Sequence, residues 1–397
     1  VTEPPLNPVF AARPVTVFAV MTALARKFGA INLGQGFPDE DGPAELIEIA
    51  AAAMREGPNQ YAPVGGTPAL RAAVSAANAR FYGLAYDPET EILVTAGATA
   101  ALAASFLAFL QPGDEAIILP PCYDSYAPMI EAAGACAVSV PLEPPAWRLD
   151  PDRIARAITS KTRVIAINSP HNPTARVLDE EERLALASLA LRHNLIVVCD
   201  EVYEHLVFDG GSHRPLALLD GMRDRVVRIG SAGKTFSMTG WRIGYVSGPA
   251  RLVDAVLKAH QFLAYTCPPH TQAAVAAGLA FADSYYDEFA RGMQAKRDRA
   301  IAGLKHAGFE VLPCEGTYFV TVDLASVGRD DDWAFCREIV EHAGVAAVPM
   351  SAFYPHAEVA PRHFARFCFC KRADVLDAAA DRLAAYFKAN PLMDRRP

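Results

Sequence analysis

From about residue 44 to 250, short apolar runs alternate with longer Ala- and Leu-rich stretches. The runs fall at 91–95, 115–119, 135–140, 163–168, 195–199, 225–229 and 242–246. Most are continuously apolar rather than alternating, the pattern of strands covered on both faces, and the stretches between them read as crossover helices. An α/β unit with a mostly parallel seven-stranded sheet flanked by helices is therefore expected. Residues 284–307 carry alternating charges on one side and predict a long connecting helix. Beyond them the pattern becomes that of a smaller α+β unit, with strands over 315–322 and 363–369 and a closing helix over 374–388. The proline-rich start predicts irregular chain until a helix over 18–27. The expected division is an N-terminal segment 1–43, a large domain 44–283 and a small C-terminal domain 284–397, with a cleft between the two domains.

Composition narrows this picture. The chain has 397 residues, 52% of them hydrophobic, enough for a substantial core. Its formal charge of −8 argues against general binding to nucleic acid or anionic membranes, so any phosphate must be met by local groups. The longest apolar run, 98–110, is too short to span a bilayer, which takes about 20 residues. No basic-then-apolar signal sequence opens the chain, and a cytoplasmic location is expected. Eight cysteines are scattered without Cys-x-x-Cys or paired-histidine spacing, so buried thiols are favoured over a structural zinc, and no metal is expected. Cys368 and Cys370 alternate along an expected strand and share one face.

Candidate chemistry starts at Ser231-Ala-Gly-Lys-Thr-Phe236, which superficially resembles a nucleotide-binding loop. That reading needs a glycine at position 228, where Arg228 stands, and a helix to follow, where Met238 onward reads as a turn and a strand. It fails twice. In an open parallel sheet, ligands bind at the carboxyl ends of strands. Gly97, Ala98 and Thr99 follow one such end and open an apolar helix, a natural phosphate cradle or an ordinary turn. Tyr123 follows a second end, as ring-stacking aromatic or core residue. Asn172 follows a third, within an Asn-Pro turn signal. Asp200 closes a fourth, as cation partner or helix cap. Lys234 follows a fifth. Each signal is weak alone. Together, a stacking aromatic, an amide, a carboxylate, an amine and a phosphate cradle describe pyridoxal phosphate.

These residues also carry a resemblance. Asn32-Leu-Gly-Gln-Gly-Phe-Pro38, Asn59-Gln-Tyr61, Asn168-Ser-Pro-His-Asn-Pro-Thr174, Cys199-Asp-Glu-Val-Tyr203, the Ser231–Phe236 loop with Gly240-Trp-Arg242, and Arg366-Phe-Cys-Phe369 occur in this order over almost the whole chain. The sequence resembles class I aminotransferases of the aspartate-aminotransferase fold type, in the branch with kynurenine/glutamine, methionine and N-succinyldiaminopimelate aminotransferases. The resemblance implies pyridoxal 5'-phosphate bound by Lys234 as a Schiff base, with Asp200 at the ring nitrogen. It further implies Asn172 and Tyr203 at the ring oxygen and Tyr123 stacked on the ring. Ala98, Thr99, Ser231 and Arg242 would hold the phosphate, joined by Tyr61 from the other subunit of a homodimer that also packs against segment 1–43. Arg366 would hold the substrate α-carboxylate, beside the Gly36 backbone. One departure stands out: Ala175 occupies a position where the family usually has glycine.

The expected reaction is transamination from an L-amino acid of kynurenine, glutamine, methionine or aromatic type to a 2-oxo acid. Phe18, Tyr123, Tyr126 and Tyr265 are expected around the donor side chain. Alternatives are N-succinyl-LL-diaminopimelate as substrate, or a β-lyase on the same residues. A regulatory protein without turnover would need a DNA-binding module or a broken site, and the sequence has neither. His171 and His270 read as structural.

Overall fold

A computed structural model describes residues 4–11 and 13–390; the remaining ends of the expected N- and C-terminal segments lie outside the described residues. The large sheet has seven strands, in the spatial order Ile92–Thr95, Gly244–Ser247, Val226–Ser231, Ile196–Asp200, Thr162–Asn168, Glu115–Ile118 and Cys136–Ser139. Gly244–Ser247 runs antiparallel to both neighbours and every other pairing is parallel. Neighbouring residues in a strand serve opposite faces: Ile117 and Val197 join one hydrophobic core, Ile118 and Val198 the other. Burial of both faces is why these runs are continuously apolar.

The second sheet orders Val348–Pro349, Phe364–Cys368, Phe319–Asp323 and Glu310–Val311, all antiparallel. The helix Val17–Phe28 packs its Met21 and Ala25 into the same core as Phe364, Phe367 and Leu383. Thr16 caps its start and Gly29, at φ 62°, its end. The two-residue strand Ile31–Asn32 then pairs in parallel with Val345–Ala346. Residues before the large sheet are thereby fastened to residues after it.

Three expected elements shift, each for a local reason. The strand expected from residue 315 begins at Phe319, because the Glu315 and Gly316 N–H groups both donate to the Ala175 carbonyl (2.9 Å each). The strand expected from Arg242 begins at Gly244, because Arg242 sits in the left-handed region at φ 56°. Lys234 lies in a single helical turn, Ala232–Thr235, which the residue pattern does not announce. Among the described residues no helix is long and apolar enough to cross a membrane, and no His/Cys/Asp/Glu cluster suits a metal ion.

Candidate active site

At the carboxyl ends of the central strands lies a cavity of about 340 Å³, closed on its other side by residues 35–37 and by Phe319 and Arg366. Ala98, Thr99, Tyr123, Asn172, Asp200 and Tyr203 open into it from the large sheet. Ser231, Lys234 and Arg242 enter from the loop beyond Val226–Ser231, and Phe18, Gly36 and Arg366 from the opposite wall. Twelve of the expected site residues thus share one space. Gly97 stands just behind it and Tyr61 away from it.

Asp200 is the last residue of its strand and is buried. Tyr126 donates to its Oδ2 at 2.6 Å, while Oδ1 is buried without a partner. Burial pushes its carboxyl up to about 6, although the Tyr126 hydrogen bond favours the charged form. An oxygen of this kind is costly to leave unpaired and fits a cationic N–H from a ligand.

Lys234 donates from Nζ to the Tyr318 hydroxyl at 2.7 Å, and the Gly36 carbonyl lies 3.5 Å away. Burial lowers its ammonium to about 8, so a useful fraction is neutral amine near neutrality. The rings of Tyr318 and Tyr203 lie 5.3 and 5.6 Å from Nζ.

Arg366 is fully buried. Nη1 donates to Asn172 Oδ1 (2.7 Å), Nη2 to the Gly34 carbonyl (2.9 Å), and Nε has no partner. No carboxylate among the described residues forms an ion pair with it. Its guanidinium lies 3.8 Å from the Phe319 ring centre and 5.4 Å from that of Phe18. Burial brings its guanidinium down to about 10. A buried cation without an anion is expensive, and the cavity offers a place for one.

The opposite end of the cavity is built for an anion. The helix Ala98–Phe109 starts there with its first N–H groups free of intrahelical partners. Gly97 has φ 81°, and a Cβ on it would lie 2.5 Å from Arg242 Nη2. Only glycine lets that guanidinium rest on the helix start. Thr99 Oγ1 and the Tyr123 hydroxyl are 3.3 Å apart at the rim.

One expectation requires correction. Tyr126, expected to line the donor pocket, is buried with its hydroxyl spent on Asp200. Tyr265 is half exposed and packs edge-on against Tyr61 at 5.0 Å, outside its own chain's cavity. Sequence reasoning missed Tyr318, which looks like any aromatic in a core strand, and Gln35 and Phe37, which line the cavity from a segment quoted only as a motif. His171, as expected, is structural: it is buried, held neutral by burial, and bonded to Thr174 Oγ1 at 2.6 Å.

Comparison with known proteins agrees with this geometry. Residues 29–383 match the family model for aminotransferase class I and II. A probable N-succinyldiaminopimelate aminotransferase of Mycobacterium tuberculosis is 48% identical over 93% of this chain and 95% of its own. The methionine aminotransferase of Escherichia coli is 41% identical over the same shares. The solved structure of an N-succinyldiaminopimelate aminotransferase from M. tuberculosis superposes with a TM-score of 0.93 at 47% identity, covering 96% of this chain and all of the other. The chain belongs to the class I and II aminotransferases. It is a pyridoxal-phosphate-dependent transaminase of fold type I, with the mixed central sheet and smaller C-terminal unit of that fold.

Proposed function

We propose that this transaminase takes its amino group from an L-amino acid with an uncharged side chain, of methionine, kynurenine, glutamine or aromatic type, and passes it to a 2-oxo acid at the cavity around Lys234. The observation that carries this reading is the wall opposite the sheet. Phe18, Phe37 and Phe319 supply apolar surface there, and the only cations lining the cavity among the described residues are Lys234, Arg242 and Arg366.

The residues fit the cofactor. When bound, pyridoxal phosphate supplies a carbonyl for the donor's amine and a ring that takes up the electrons of the broken Cα–H bond. Asp200 Oδ1 is free to accept the ring N–H and keep it protonated. The start of the helix Ala98–Phe109, Thr99, Ser231 and Arg242 meet the phosphate. Asn172 has committed Oδ1 to Arg366, which leaves its amide N–H groups, with the Tyr203 hydroxyl, for the ring oxygen. Tyr123 covers the ring face. Lys234 is the covalent attachment point and, once released, the base that moves the proton leaving Cα. Arg366, which lines the cavity and keeps an unpartnered Nε, would meet the substrate carboxylate.

The active unit is proposed to be a homodimer, because Tyr61 is 81% exposed and does not line its own cavity. Phe262, 86% exposed, and Tyr265 extend the same kind of apolar surface. Eight unpaired cysteines suit a reducing compartment, and we place the enzyme in the cytoplasm. The division into segment 1–43, domain 44–283 and domain 284–397 is kept as part of the proposal.

N-succinyl-LL-diaminopimelate is the second reading, favoured by the 48% identical relative. Its distal carboxylate would then have to be met from the partner subunit. A panel of amino donors decides the order. Methionine, kynurenine, glutamine or an aromatic amino acid should lead; succinyldiaminopimelate more than about tenfold ahead, a margin of 1.4 kcal/mol, reverses it. Pyruvate and ammonia released without an oxo acid would instead indicate β-elimination.

A further inference from the structure

Tyr318 is buried behind the cavity wall, and its hydroxyl makes two contacts of 2.7 Å. One is to the Gly36 carbonyl, which can only accept, so the phenolic hydrogen points there. The other is to Lys234 Nζ, and the phenolic oxygen must be its acceptor. The amine therefore spends an N–H on Tyr318, and its lone pair stays free. Glycine at 36 makes the arrangement possible, since a Cβ there would lie 2.6 Å from the Phe319 ring and 3.3 Å from that of Tyr318. The Tyr203 ring, edge-on to Tyr318 at 5.1 Å, blocks another rotamer for the phenol.

We propose that Tyr318 is a positioning residue that holds the Lys234 amine, whenever it is not covalently engaged, with its lone pair directed into the cavity. This rests on the reading of Lys234 as the lysine that bonds the cofactor and moves the Cα proton. A lysine on four rotatable bonds otherwise samples many orientations, and a proton acceptor must lie within hydrogen-bond reach of the proton it takes. Tyr318 restricts the amine without protonating it, because its own hydrogen is committed to Gly36.

The test uses the holoenzyme after excess amino donor, when Lys234 is free, and compares wild type with Tyr318→Phe. Acetylation of Lys234 by acetic anhydride is followed against pH by mass spectrometry. Asp200, Arg242, Cys368 and Cys370, the other titratable groups whose charge reaches the amine, are unchanged in the variant. Loss of the acceptor should move the labelling midpoint down by about half a pH unit or more. The same variant should lose about tenfold in kcat, with KM for the oxo acid little changed and a larger isotope effect on Cα-deuterated donor. An unchanged midpoint with an unchanged isotope effect overturns the proposal. Should the variant not fold, 3-fluorotyrosine at position 318 of the otherwise unaltered chain serves instead. Its fluorine resonance should move when donor releases Lys234 and stay fixed in a Lys234→Ala background; equal movement in both overturns the proposal. Full activity of Lys234→Ala itself would instead sink the reading on which the proposal rests.

Discussion

Tyr126 gives its phenolic hydrogen to one oxygen of Asp200 at 2.6 Å, and the other oxygen of that carboxylate is buried without a partner. The pair divides two duties. Tyr126 favours the charged carboxylate against the burial that disfavours it, and the free oxygen remains for a ligand. Removing the hydroxyl leaves only the Val202 N–H and the Lys234 charge to oppose burial. Tyr126→Phe should protonate Asp200 at higher pH, moving the acidic limb of the kcat profile up by about one unit and lowering kcat several-fold at pH 7. A profile superimposable on wild type would show that Tyr126 serves packing alone.

The same burial predicts a trade between stability and function. Asp200 titrates near 6 in the folded protein against its ordinary 3.8. Between those values the folded state holds more protons than the unfolded, so stability falls as pH rises through that window and the full penalty stands above it. Asp200→Asn removes the penalty. Without cofactor, the variant should be more stable than wild type by about 1–3 kcal/mol at pH 7. That gain should shrink below pH 6 and vanish below about pH 4. Urea unfolding at three pH values measures it, and the same variant should be nearly inactive.

Legibility in the sequence followed the physics of each residue. The large sheet was readable because burial on both faces imposes continuous apolar runs, and its strand ends pointed to Thr99, Tyr123, Asn172, Asp200 and Lys234. Arg242 reads as part of a strand because nothing in its neighbours announces a left-handed residue. Tyr318 and the hydroxyl of Tyr126 stayed hidden for a different reason. An aromatic in an apolar run looks the same whether its hydroxyl is idle or engaged, and only the long-range pairing of residues 36, 126, 200, 234 and 318 separates the two. Ala175 is the reverse case, since one departure from a family pattern marks a strained position in the sequence itself.

That strain is real in the fold. Ala175 has φ 61°, while its carbonyl receives the Glu315 and Gly316 N–H groups and its N–H reaches the His171 carbonyl at 2.8 Å. A left-handed alanine costs about 1–2 kcal/mol, partly offset because glycine loses more entropy on folding. Ala175→Gly should therefore raise stability by up to about 1 kcal/mol, with kcat unchanged, as read by thermal unfolding. A loss of stability would mean that the turn tolerates alanine without strain.

Arg366 should serve donor and acceptor alike, because both present an α-carboxylate to one site. Arg366→Lys keeps the charge but loses the planar fork and its bonds to Asn172 and Gly34. The kcat/KM for amino donor and for oxo acid should each fall by about 100-fold or more. Initial-rate measurements in both directions test this, and a fall for one substrate alone would assign the arginine to that half of the reaction.

The proposed dimer makes its sharpest demand on Tyr61, which is exposed in its own chain yet expected at a phosphate. Lys234→Ala and Tyr61→Phe homodimers should each be weak, the first for want of the amine and the second for looser cofactor binding. In a hybrid of the two, the cavity that keeps Lys234 would receive an intact Tyr61 from the other subunit. The second cavity would carry both lesions. Random re-pairing of equal amounts makes half the dimers hybrids, each with one whole site, so activity should recover to about a quarter of wild type. If Tyr61 served its own subunit's cavity, no hybrid would contain a whole site, and mixing would restore nothing.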